Sequence, residues 1–104
     1  MKIVYIAHPI SGSVEFNLMS IRNIVRTINI MEPDIIPFVP YYADVVSMDD
    51  SDPVQRARGI KNDHAILTSG IVDELWFYRR ISEGVKAEIE IAKQMGIPVI
   101  DKRI

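Results

Sequence analysis

Ser82-Glu83-Gly84-Val85-Lys86-Ala87-Glu88-Ile89-Glu90-Ile91-Ala92-Lys93-Gln94-Met95-Gly96-Ile97-Pro98-Val99-Ile100 reads as one helix handing over to one strand. Ser82 is a good N-cap, the helix runs from about Glu83 to Met95, and Gly96 suits the C′ position. Ile97 to Ile100 then forms a short final strand. Just upstream, Ile71 to Tyr78 is rich in β-formers and predicts another strand. Strand, helix, strand is thus the local unit, and it repeats outward. Asp52-Pro53 is an N-cap and N1 pair that opens a helix to about Thr68, ended by Ser69-Gly70. Ile35 to Val39 predicts a strand whose Pro37 suits a sheet edge or a strand end. Pro40 to Ser51, polar apart from Tyr41, Tyr42 and a few others, predicts a long loop of the kind that often carries function. Ser13 caps a helix to about Met31, with Leu18, Ile21, Val25 and Ile28 as its apolar stripe. Ile3 to Ala7 is a continuous apolar run, the mark of a buried first strand.

The order β-α-β-α-β-α-β predicts the α/β class. The architecture expected is a three-layer, Rossmann-like or flavodoxin-like parallel sheet of about four to five strands, with helices on both faces. The 104 residues fit a single domain, 1–104. In open sheets of this type ligands sit beyond the C-terminal strand ends. Those ends are the His8 to Ser13 turn, the Pro40 to Ser51 segment and the Arg79 to Gly84 turn.

Composition narrows the function classes. A net charge of −2, with Lys and Arg scattered, argues against a nucleic-acid polymer as partner. A small anion remains compatible, since one helix N-terminus can hold a phosphate. No cysteine is present, which excludes disulfides, thiolate catalysis and Cys-based zinc sites. His8 and His64 are the two histidines, and no HExxH-type spacing accompanies them, so neither a metal nor another cofactor is expected. The N-terminal apolar run is too short for a signal peptide, and no stretch is long enough to span a bilayer; a cytoplasmic location without membrane contact is the expectation.

Helical periodicity singles out two carboxylates. With Val85 at zero, Ile89 lies near ~+40°, Ala92 near ~−20° and Glu88 near ~−60°, on the edge of the buried arc. A half-buried Glu that stays ionised can attack an electrophilic sugar carbon. With Ile60 at zero, Leu67 lies near ~−20° and Asp63 near ~−60°. Asp63 can hold a substrate hydroxyl or pass a proton to a leaving base. For both residues, periodicity leaves open an ordinary boundary carboxylate that reaches solvent. Ser82 and Gly84 open the last helix and offer a phosphate or sugar-hydroxyl seat, or an ordinary N-cap. Ser11-Gly12-Ser13 occupies the position of a phosphate loop but matches neither GxxxxGK[ST] nor GxGxxG. His8, at a strand end, can meet a ligand; His64 reads as a packed histidine. One of Asp73 and Glu74 is expected to face a pocket or a helix N-terminus. Trp76-Phe77-Tyr78 reads as core and rim.

Taken together these pieces resemble the nucleoside 2-deoxyribosyltransferase superfamily, in particular its small members of phage and bacterial type. The likeness rests on Tyr5-Ile6-Ala7-His8-Pro9-Ile10-Ser11-Gly12, on the helix with Asp63, and above all on Ser82-Glu83-Gly84-Val85-Lys86-Ala87-Glu88, then Ala92 and Gly96-Ile97-Pro98-Val99. His8 stands where relatives usually have Gly. The resemblance implies that Glu88 is the nucleophile at the anomeric carbon and that Asp63 assists departure of the base or holds the sugar. It further implies that Ser82 and Gly84 bind the sugar 5′ end or its phosphate, that Ser11 and Gly12 pack against the same end, and that Tyr5 borders the site. It also implies a homodimer or higher homo-oligomer. The function expected is cleavage or transfer at the N-glycosidic bond of a nucleoside or its 5′-monophosphate. The alternatives are a non-catalytic nucleotide-binding module and a structural or interaction domain.

Overall fold

The computed structural model describes residues 1–103. Among them the chain forms β1 (Lys2–Ala7), α1 (Val14–Met31), β2 (Ile35–Phe38), α2 (Pro40–Ser47), α3 (Pro53–Leu67), β3 (Glu74–Phe77), α4 (Glu83–Gln94) and β4 (Val99–Asp101). The four strands make one parallel sheet in the order β2-β1-β3-β4. The expected α/β, three-layer, Rossmann-like architecture is what the chain adopts.

Side chains alternate along β1, and each set meets a different layer. Val4 and Ile6 pack with Trp76 and with Ile24 and Ile28 of α1. Tyr5 and Ala7 pack with Leu75 and Phe77 and with Leu67 of α3 and Val85, Ile89 and Ala92 of α4. The central strands β1 and β3 are buried on both faces, which explains their continuous apolar composition. Pro37 lies in β2, at the sheet's edge, where a missing N–H costs no ladder bond on the open side.

Several boundaries differ from the expectations. The predicted loop from Pro40 to Ser51 is mostly a helix, α2. Pro40 occupies its first turn, Tyr41 is buried, and Asp44, Val45 and Met48 are half-buried, a spacing of one helical turn and two. β3 begins at Glu74 rather than Ile71, although Asp73 N–H already donates to Ile3 O at 2.8 Å. Ile97 belongs to the helix exit, its N–H donating to Ala92 O, so β4 begins at Val99. Gly96 sits at φ +73°, a left-handed turn that glycine makes without steric cost. Ser13 precedes α1 but its side chain makes no capping bond, whereas Asp52 and Ser82 cap α3 and α4 through Val54 and Val85 N–H. Among the described residues no helix is long and apolar enough to cross a membrane.

Chain order dictates where a ligand can sit. From β1 the chain runs to the neighbour on one side, β2, then returns past β1 to β3 on the other. The loops leaving β1 and β3 therefore diverge to opposite faces and leave a crevice above the C-terminal ends of those strands.

Candidate active site

A cleft of about 460 Å³ occupies that crevice, a size usual for small-molecule sites. Its walls come from the turn after β1 (His8, Ser11), from α2 and α3 (Tyr41, Asp44, Met48, Gly59, Asp63, His64), and from the turn and first turns of α4 (Arg80, Ser82, Gly84, Glu88). Six carboxylates line it, those of Asp44, Asp49, Asp50, Asp63, Glu83 and Glu88, against the two guanidinium groups of Arg56 and Arg80.

Glu88 projects from α4 and is 8% exposed. Its neighbours on that face are Val85, Ile89 and Ala92, so the helix carries it into a largely apolar wall. The Tyr5 hydroxyl, reaching up from β1, donates a short hydrogen bond to Glu88 Oε2. Burial pushes the Glu88 carboxyl up to about 8; the Tyr5 hydrogen bond opposes this, and the charge of Asp63 adds to it. Tyr5 is wholly buried and is a donor whose own phenol is held well above its ordinary value, by burial first and then by Glu88. Tyr41, with its ring centroid 6.0 Å from that of Tyr5, donates to Ile6 O at 2.5 Å and fixes the start of α2 over β1.

Asp63 projects from α3 and is 7% exposed. Among the described residues its Oδ1 is the buried side-chain oxygen or nitrogen that lacks a hydrogen-bond partner. Burial pushes the carboxyl up to about 7, and the Asp44 carboxylate across the α2–α3 contact adds to the shift. A buried polar atom with no partner costs free energy, about 1–3 kcal/mol for a neutral group. Two carboxyl groups, each held partly protonated near neutrality, thus share one cleft.

The other residues singled out by sequence fall as follows. Ser82 and Gly84 line the cleft. The Ser82 hydroxyl accepts from Val85 N–H at 3.3 Å, so it is an N-cap whose proton stays available to a ligand. A Cβ at Gly84 would meet nothing within 4 Å, so this glycine leaves open space beside the helix end. Ser11 lines the cleft and its carbonyl accepts from Arg80 Nη2 at 3.1 Å. Gly12 does not line the cleft; its φ of +98° shapes the turn that carries Ser11. His8 is buried, with Nδ1 donating to Pro9 O at 2.7 Å and Nε2 facing Ser20 Oγ at 2.9 Å. Burial lowers its pKa, and the neutral ring with Nδ1 protonated satisfies both contacts, so its polar atoms are committed to the protein. His64, expected to be packed, is half-buried and lines the cleft. Neither Asp73 nor Glu74 reaches it: Asp73 accepts from Ile3 N–H at 2.8 Å, and Glu74 from Lys2 Nζ and Trp76 Nε1.

Sequence reasoning missed Asp44 and Arg80. Asp44 was hidden because α2 was expected to be loop. Arg80 stands two residues before an N-cap, and the usable signal was that dyad of strand end and helix start. Arg79 adopts a left-handed φ of 63°, uncommon for a residue with a Cβ, and the two arginines part there. Arg79 stacks over Phe16 at 5.4 Å while Arg80 turns to the cleft.

Among the described residues no group of three or more His, Asp and Glu side chains is arranged to hold a metal ion. Residues 2–102 match the family described as "Domain of unknown function (DUF7768)", and the chain belongs to that family. No curated protein matches the sequence.

Proposed function

We propose that the protein cleaves or transfers the N-glycosidic bond of a (2′-deoxy)nucleoside or nucleoside 5′-monophosphate, with Glu88 as nucleophile and Asp63 as proton donor. The observation that carries this reading is the pair of buried carboxyl groups in one nucleoside-sized cleft, one hydrogen-bonded by Tyr5 and one without a partner.

The chemistry follows from their environments. A Glu88 carboxylate oxygen attacks the anomeric carbon, the bond from that carbon to the base nitrogen breaks, and its electron pair goes to the base. Asp63 supplies the proton the departing base needs. The glycosyl-enzyme ester is then attacked by water, or by the nitrogen of a second base. Glu88 leaves as carboxylate, and the nucleophile's proton passes to Asp63. This is the logic of a retaining glycosidase with an oxocarbenium-like transition state. The carboxylates around the cleft favour that positive charge. Tyr5 donates to the oxygen that does not attack and supports the ionised form of Glu88 against its burial. Arg80, the Ser82 hydroxyl and the first N–H groups of α4 form an electropositive corner, suited to the sugar's 5′ oxygen or phosphate.

The working state pairs an ionised Glu88 with a protonated Asp63. With the first raised to about 8 and the second to about 7, a bell-shaped rate profile centred between those values is expected, its limbs belonging to the pair. A second reading has the burial of Glu88 in its favour: burial pushes its carboxyl up to about 8, and a protonated carboxyl binds a sugar hydroxyl without attacking it. That reading is a nucleotide-binding module without catalysis.

The experiment is base release from 2′-deoxynucleosides and their 5′-monophosphates across pH 6 to 9. Release by the native chain, lost by at least about a thousandfold in Glu88→Ala, is the expected result. Recovery of intact ligand after saturable binding favours the binding module, and equal turnover by the variant rejects the role of Glu88.

A further inference from the structure

The two ends of the cleft are built differently. At the α4 end stand Arg80, the helix N-terminus, Glu83 and Glu88; at the α2–α3 end stand Asp44 and Asp63, with Arg56 and His64 of α3 and the apolar side chains of Val45, Met48 and Ile60. Ile60 is 42% exposed although apolar. Asp44 is half-buried and, among the described residues, makes no side-chain hydrogen bond or ion pair; Arg56, on the same wall, does not pair with it. α2 comes close to α3 at Gly59, where an added Cβ would lie 3.6 Å from Asp44 Cβ and 3.9 Å from Met48 Cε. Gly59 is one turn before Asp63 on α3, so Asp44 and Asp63 front the same stretch of wall. The partnerless Oδ1 of Asp63 is an independent sign that this stretch is built to receive a donor or a proton acceptor from a ligand.

Resting on the glycosidic reading above, we propose that Asp44 determines base specificity, selecting nucleobases whose edge carries an amino group over those that present a carbonyl at the same position. The apolar side chains take the faces of a planar ring, and a carboxylate at its edge accepts hydrogen bonds and donates none. An exocyclic amine is therefore matched. A carbonyl there sets oxygen lone pairs against oxygen lone pairs, which rejects as well as fails to attract. Cytosine against uracil is the cleanest pair, since the two rings have the same size and differ in an amine against a carbonyl and in the ring proton beside it. A site that must pair a buried polar group discriminates more strongly than one that reads shape.

The test measures binding of 2′-deoxycytidine and 2′-deoxyuridine 5′-monophosphates by calorimetry, using Glu88→Gln so that ligand survives. The cytosine ligand is expected to bind about tenfold to a hundredfold more tightly. Adding Asp44→Asn is expected to abolish or invert the preference, because an amide turned to the base donates to a carbonyl, an effect that a merely structural role would not produce. Equal affinities, or a preference unchanged by Asp44→Asn, overturn the inference. The two readings fail separately. Base release without cytosine preference leaves the glycosidic reading and sinks this one. A cytosine preference in binding without base release from any nucleoside does the reverse. No binding of either ligand refutes both.

Discussion

Glu74 and Glu88 are the same residue in one small protein, and their surroundings treat them in opposite ways. Glu74 begins β3 at the N-terminal end of the sheet, where Lys2 lies 2.6 Å away and the Trp76 indole donates at 2.9 Å. Those two hydrogen bonds hold its carboxyl below the usual carboxylate range. Glu88 lies beyond the C-terminal end, with one phenol as partner and a second acid near it, and burial drives it up to about 8. The N-terminal end neutralises its acids with partners of the chain; the C-terminal end keeps two acids short of partners. Folding alone favours the first arrangement, so the second is what marks the cleft as the candidate site.

The largest effect expected from breaking this asymmetry is on stability against pH. Glu88 and Asp63 hold protons in the folded chain that the unfolded chain gives up near pH 4. Their contribution is complete below that pH and is lost as pH rises through about 7 and 8, so the thermal midpoint should fall between pH 5 and pH 9. For Glu88 the loss is on the order of 3–5 kcal/mol, from the size of its shift. Glu88→Gln, which keeps the shape and cannot ionise, should remove about half of the slope in scanning calorimetry and leave the part that belongs to Asp63. A slope unchanged by the substitution would remove Glu88 from this account.

Tyr5→Phe sharpens the comparison from the partner's side. It strips the hydroxyl from a buried pair and should cost about 1–3 kcal/mol in denaturant unfolding. The Tyr5 hydrogen bond lowers the pKa of Glu88, so its loss should also raise the higher of the pair's two apparent values, moving the alkaline limb of the rate profile to higher pH and lowering its maximum. A profile unmoved by the substitution would mean that Tyr5 serves packing alone. The smallest effect belongs to the other end. Lys2 is exposed, and surface pairs contribute little. Lys2→Ala should leave the melting temperature and base release close to those of the native chain, and a large loss of either would break the contrast.

What could be read from sequence divides along the same line. The order of elements follows from the caps at Asp52 and Ser82 and from periodic apolar runs, because those signals are local. Glu88 was legible for a similar reason: Val85, Ile89 and Ala92 define one buried arc, and the helix fixes its angle to them. The apolar pattern of α3 points to Asp63 through Ile60, yet Ile60 is exposed and the buried residues of α3 are Asp63 and Leu67. α3 has too few apolar residues for its pattern to say which face docks, since part of that face borders the cleft. Asp44 was not legible, because its position depends on α2 being a helix. The signal was present in Pro40 at the first turn and in Tyr41, Val45 and Met48 at helical spacing, but the Tyr-Tyr pair and the aspartates read as loop. Arg80 depends on the left-handed turn at Arg79, which local sequence does not announce.

The central claim is a covalent bond to Glu88, and the mass of the protein during turnover reports it most directly. A 2′-fluoro-substituted 2′-deoxynucleoside, whose electron-withdrawing group slows release of the sugar, would be mixed with the native chain and the reaction quenched. Intact-mass and peptide analysis should find one sugar residue on the peptide that carries Glu88, formed in step with free base and absent from Glu88→Gln. Free base appearing without that adduct, or the sugar found on another residue, would contradict the account.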